Sequence, residues 1–170
     1  MPFTPFHFGP ALLLGMLLRP FIDLSAIFIA SVILDLEPLV VLLFHLSLPL
    51  HGIFHTYLAA TIIAIILAFV LWPFRGVLNS FVSIFGIHQE STLRNLLLAS
   101  FIGTYFHIFL DSFLYAEMNP FYPFLGNPFV GLVSSQVIYG FCVFSGALGF
   151  ITYTGYIFYR HYSSKAGPLQ

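Results

Sequence analysis

Residues 94–115 read RNLLLASFIGTYFHIFLDSFLY, and this stretch decides the fold. Between Arg94 and Asp111 there is no formally charged residue, and the run matches the roughly 20 residues that a helix needs to cross the hydrocarbon core of a bilayer. Its apolar residues lie all round the helix instead of along one stripe, which predicts a membrane span and not a surface helix. A histidine and an aspartate stand in its second half. His107 and Asp111 are four apart, so helical geometry aims both side chains from one face at the same place.

Working outward, residues 56–73 and 131–159 have the same character, each bounded by Pro, Asn, Gly or charge. The first third of the chain is more broken. Residues 10–18 form a short apolar run closed by Arg19-Pro20, and residues 21–35 form a second that ends at Glu37-Pro38. Residues 39–50 are too short to cross alone and predict a re-entrant or interfacial piece. Segment 76–92 mixes Asn79, Ser80, Ser83 and Gln89 with Phe81, Ile84 and Phe85, as an interfacial helix joining two spans would. Small residues Gly140, Ser145, Gly149 and Gly155 on the last span predict close helix packing there.

Composition agrees with the spans. Of 170 residues, 59% are hydrophobic and only 6% are charged, where a soluble domain carries about 25%; mean hydropathy is +1.00. The expectation is one integral membrane domain over residues 1–170, an all-α polytopic bundle of four or five membrane segments with a site between helices. A net charge of −1 with five scattered Lys and Arg leaves no footprint for nucleic acid, and 22 Phe with 9 Tyr exclude a disordered chain. The single cysteine, Cys142, can form no disulfide within one chain. The N-terminus has neither a basic region nor a small-residue cleavage site, so no removable signal peptide is expected.

Cations near span ends mark cytoplasmic loops. Arg75 and Arg94 bracket the 76–93 loop, and Arg160 and Lys165 follow the last span. Placing both inside puts the N-terminus and residues 45–55 outside. Trp72 beside Arg75 fits an interfacial anchor.

Acids in apolar segments need partners, and they are functional candidates by default. Here they are Asp23, Asp35, Glu37 and Asp111, accompanied by His7, His51, His55 and His107. Arg19 lies four residues before Asp23 and is expected to pair with it; no other cation is near. His51 and His55 repeat the four-residue spacing of His107 and Asp111. Imidazole nitrogen with carboxylate oxygen is the donor set of zinc, or of manganese or iron where oxygen predominates. A divalent metal would balance the acids directly. In the orientation derived from Arg and Lys alone, all six expected ligands, His7, Asp35, His51, His55, His107 and Asp111, collect at the external face. His45, His88 and His161 are read as structural or solvated, and Glu117 as either solvated or standing behind the ligands.

In this order the pieces resemble the membrane-bound metal-dependent hydrolase family of YdjM type, distantly related to zinc-dependent phospholipase C. The resemblance spans most of residues 7–128: His7 in HFGPALLLG, Asp35 and Glu37 in ASVILDLEP, His51 and His55 in HGIFHTYL, His107 and Asp111 in GTYFHIFLD, and the turn MNPFYPFLGNPF at 118–129. Leu34 stands where a Pro is usual, Glu37 replaces an Asp, Gly52 directly follows His51 so that the arginine of the family's HRG motif is missing, and the His-to-His spacing is one shorter. The resemblance implies that Asp111 bridges two metals, with Asp35, His107 and one of His51 or His55 on one and His7 on the other; the ligands of a third metal have no counterpart.

The chemistry such a site favours is hydrolysis by a metal-activated water, with Asp35 or Glu37 as general base if not ligated. Membrane lipids surround it, and a phosphoester in a lipid or lipid-linked substrate is the expected target. GxSxG and HExxH signatures are lacking. The alternatives are a proton- or cation-conducting transporter, which needs polar residues through both halves of the bilayer, and a non-catalytic scaffold with a structural metal.

Overall fold

A computed structural model describes residues 5–165, excepting the side chains of 164 and 165; Lys165, one of the cations used to orient the chain, therefore has its side chain outside the described residues. Among the described residues seven α-helices follow one another: α1 (Phe8–Leu17), α2 (Leu24–Ala30), α3 (Leu36–Leu43), α4 (Tyr57–Leu71), α5 (Arg75–Ser83), α6 (Leu93–Ser112) and α7 (Ser135–Lys165). Short 3₁₀ turns at Pro5–His7, Ile33–Asp35, Ile53–His55 and Trp72–Phe74 connect or precede them. The described residues contain no strand.

Among the described residues four helical stretches are long and apolar enough to cross a membrane: Leu24–Leu43, Tyr57–Ser83, Leu93–Ser112 and Ser135–Ser163, with a shorter apolar helix at Pro5–Leu17. This is an all-α polytopic bundle. Two boundaries differ from expectation. Glu37-Pro38 does not end the second segment, because Pro38 lies in the first turn of α3, where amides have no intrahelical acceptor to lose. Residues 39–43 therefore continue that segment instead of forming a separate re-entrant piece, and irregular chain begins at Phe44. Likewise α5 prolongs α4 through the Trp72–Phe74 turn, so the expected interfacial helix at 76–92 is helical only to Ser83.

α6 lies at the centre, packed on α4 and α2; α1 joins α2 to α7. Backbones come close where glycine permits. A Cβ at Gly103 would lie 2.5 Å from the Cβ of Ala30, and one at Gly9 would lie 2.1 Å from the Cys142 carbonyl oxygen. On α7, Ser145 is buried and Gly149 abuts Leu12 and Leu13 of α1, as the small-residue spacing predicted, whereas Gly140 and Gly155 face open space. The described core between α2 and α6 is built from Ala26, Ile27, Ala30, Leu96 and Ala99. Outward faces carry Ile62, Ile66 and Phe69 on α4 and Phe144, Ile151 and Phe158 on α7, all exposed, as lipid-facing surfaces require.

Candidate metal centre

Threonine and aspartate caps fix where the helices start. Thr56 accepts from the Ala59 amide at the start of α4 and Thr92 from the Asn95 amide at the start of α6, satisfying donors that have no partner inside the helix. With α6 begun at Leu93, His107 and Asp111 fall in its last two turns, both buried. The 3₁₀ turn before α3 supplies Asp35, the turn before α4 supplies His55, and the turn before α1 supplies His7. Four separate stretches of sequence converge.

The distances define the cluster. His107 Nε2 is 3.2 Å from Asp111 Oδ2, 3.7 Å from Asp35 Oδ1 and 3.4 Å from His55 Nε2. His55 Nε2 is 4.0 Å from Asp111 Oδ2. One ligand atom each from Asp35, His55, His107 and Asp111 lies within 4.8 Å of the other three, and all four residues are buried. His7 stacks on His107 with ring centroids 4.1 Å apart, and its Nε2 faces Asp111 Oδ1 at 3.2 Å. Asp111 thus turns one oxygen to His55 and His107 and the other to His7.

What lies behind the histidines decides their chemistry. His107 Nδ1 is 2.8 Å from the carbonyl oxygen of Ser31, and a carbonyl only accepts, so that nitrogen carries the hydrogen. His55 Nδ1 is 2.8 Å from Glu37 Oε2 and donates to it. In each neutral ring the remaining nitrogen, Nε2, is then a lone pair. The two lone pairs point at one another's neighbourhood among two carboxylates. Acceptors cannot satisfy acceptors, so positive charge belongs between them: a proton or a metal ion. An imidazole whose second nitrogen is held by a carboxylate or carbonyl is the arrangement metal sites use to fix the ring and raise its basicity.

Glu37, expected as a general base, accepts from the Gly52 and Phe54 amides at 3.1 and 3.2 Å besides His55. It stands behind His55 and orients it. Gly52, which occupies the place of an arginine in the resembling motif, explains this: a Cβ there would lie 2.8 Å from Glu37 Oε1. His51 is not among the four converging groups. Its Nδ1 is 2.9 Å from Glu117 Oε1, its ring stacks on Tyr115 at 3.6 Å and it meets His55 edge-on at 4.8 Å, one layer outward.

Burial holds the His55 pKa below its ordinary 6.5 despite the Glu37 hydrogen bond, which keeps the ring neutral and able to ligate at pH 7. Partial burial pushes the Glu117 carboxyl up, but the His51 hydrogen bond and its own backbone amide outweigh this, so its pKa lies below the usual carboxylate value.

Asp23 does not pair with Arg19. The chain from Leu18 to Asp23 is not helical, so the four-residue spacing brings nothing together; Arg19 instead lies over the Tyr156 ring at 3.8 Å. Asp23 caps α2 through the Ala26 amide at 2.7 Å and also takes the Ser91 hydroxyl. His45, His88 and His161 are exposed. The Ser31 carbonyl was not foreseen, since a backbone acceptor leaves no signature in a sequence. The chain matches no protein-family model, no curated protein and no solved structure.

Proposed function

We propose that the protein is a membrane-embedded, metal-dependent hydrolase of phosphoester bonds in lipid or lipid-linked substrates. The observation that carries this reading is the convergence of the His55 and His107 Nε2 atoms, 3.4 Å apart, with the carboxylates of Asp35 and Asp111. Zinc suits two imidazoles and two carboxylates best, with manganese or iron as the oxygen-richer choices. A divalent ion held there acidifies water and polarises a phosphoryl oxygen.

The chain's own residues do the rest. Glu37 and the Ser31 carbonyl fix the two rings, so the site is organised before substrate arrives. Asp111 presents separate oxygens to the His55–His107 pair and to His7, the disposition a bridging carboxylate needs. Asp35 faces the cluster and is the acid positioned to take a proton if it does not ligate; Glu37 is already engaged. The motif order shared with the YdjM-type hydrolases supports the same chemistry. The arginine end, by the positive-inside rule, belongs to the cytoplasm, which turns the site outward.

Transport finds less support, because the described interior between the Asp23 end and the cluster holds Ala26, Ile27, Ala30, Leu96 and Ala99 together with the buried hydroxyls of Ser100 and Thr104, and no titratable side chain among them. The test is turnover by purified protein in phospholipid vesicles. Release of phosphate or of a phosphorylated headgroup, lost on chelation and restored by zinc or manganese, is expected; absence of release from both phospholipids and prenyl phosphates in metal-loaded protein would overturn the hydrolase reading.

A further inference from the structure

We propose that two loops at the mouth of the cluster, residues 44–54 and 118–133, are seated in the lipid headgroup layer, so that the site is approached sideways from the bilayer by a membrane-resident amphiphile. This goes beyond the hydrolase reading, on which only the last clause rests.

Both loops are built onto the site. The Gly52 and Phe54 amides hold Glu37, and residue 55 is itself in the cluster. In the second loop the Pro120 carbonyl accepts from the Tyr57 amide at 2.9 Å, while the Asn127 side-chain amide donates to the Ser112 and Tyr115 carbonyls at the end of α6. Anchored in this way, the loops hold their apolar side chains outward. Phe44 is 70% exposed, Phe124 78% and Leu125 82%, with Leu48, Ile53 and Leu132 similarly bare. Neither loop contains Asp, Glu, Lys or Arg. Exposed apolar side chains in this number mark an interaction site.

Three features choose lipid as its occupant. The first is charge: Arg19, Arg75, Glu90, Arg94 and Arg160 lie at the far end, where Arg75 lies over Trp72 at 4.1 Å and Arg160 donates to the Gly86 carbonyl. The second is length. Asp111 stands seventeen positions after Arg94 on α6, about 25 Å at the α-helical rise, against a hydrocarbon core of about 30 Å. With the arginines at one boundary, the cluster falls just short of the other and the loops beyond it fall in the interface. The third is continuity: the exposed loop residues run directly into exposed Leu43, Leu58 and Val137 on the membrane-crossing helices.

The experiment uses the full chain in phosphatidylcholine vesicles. Trp72 is the only tryptophan, so Trp72→Phe gives a dark background into which Phe124→Trp or Leu125→Trp is introduced at a position with room for the ring. Lipids brominated near the headgroup end of the acyl chain should remove most of that fluorescence, with less loss from bromines near the chain terminus and little from acrylamide in the water. Strong acrylamide quenching without bromolipid quenching would overturn the proposal. As a second reading of the same loop, Leu125→Cys on a Cys142→Ala background, spin-labelled, should relax more with oxygen than with a water-soluble nickel chelate; the reverse order would also overturn it. Neither readout needs metal or turnover, so failure here and failure of the hydrolase reading are separately visible.

Discussion

Asp23 and Asp111 are the same residue, each 1% exposed, at opposite ends of one helix: the Asp23 amide bonds the Asn95 carbonyl near the start of α6, and Asp111 lies in its last turn. Their surroundings are chemically opposite. Asp23 is met by hydrogen-bond donors, the Ala26 amide and the Ser91 hydroxyl, and its charge is absorbed by the start of a helix. Asp111 is met by imidazole nitrogens of His7, His55 and His107, groups that ligate cations as readily as they donate. An acid buried in a membrane protein is therefore not functional because it is buried; its neighbours decide. One end of the bundle is closed by hydrogen bonds, and the other gathers imidazoles and carboxylates that could hold a metal ion.

The largest contrast is expected from removing each acid. Asp111→Ala should abolish metal retention through purification, while Asp23→Ala should keep it and lose about 1–2 kcal/mol of stability with the helix cap, read by metal analysis and by unfolding in detergent. Equal loss of metal in both would erase the distinction. Next, adding zinc to metal-free protein at about 100 times its dissociation constant should raise stability by about 2.7 kcal/mol in the parent and in Asp23→Ala, and leave Asp111→Ala unmoved. A smaller effect belongs to Glu37→Gln: one carboxylate oxygen is exchanged for a donor, His55 loses its fixed orientation, and metal affinity should fall about 10- to 100-fold with stoichiometry retained at saturation. Smaller still is the acid response of the metal-free protein. The folded state lowers the pKa of His55 below 6.5, so the unfolded chain binds that proton more readily, and stability is lost as pH falls below about 6.5. His55→Gln should flatten this limb, and Asp23→Ala should leave it in place.

Much of this was legible in the sequence, for reasons particular to certain residues. The apolar run at 94–115 carries its own length argument, and the spacing of His107 and Asp111 follows from helical periodicity alone. Asp35, His55 and His7 could be gathered because each ends or precedes an apolar segment on the same side. Other features had no local signature. The Ser31 carbonyl that fixes His107 is backbone, which every residue possesses. The engagement of Glu37 depends on Gly52 and Phe54, more than a dozen residues away and joined by an irregular turn. Pro38 misled because proline ends a helix only beyond its first turn. Arg19 and Asp23 misled because the four-residue rule presupposes a helix that Arg19-Pro20 interrupts. On α7, the four-residue spacing of Ser145 and Gly149 marked the packed face, while Gly140 and Gly155 face open space and carry no mark that separates them from packing residues.

The central claim, that the cluster around Asp111 holds a divalent cation, is tested most directly by elemental analysis of the folded, detergent-purified chain beside its Asp111→Asn variant. Zinc, manganese or iron near or above one ion per chain is expected in the parent and almost none in the variant. Well-folded parent protein that carries no transition metal, and takes up none on dialysis against zinc, would contradict it.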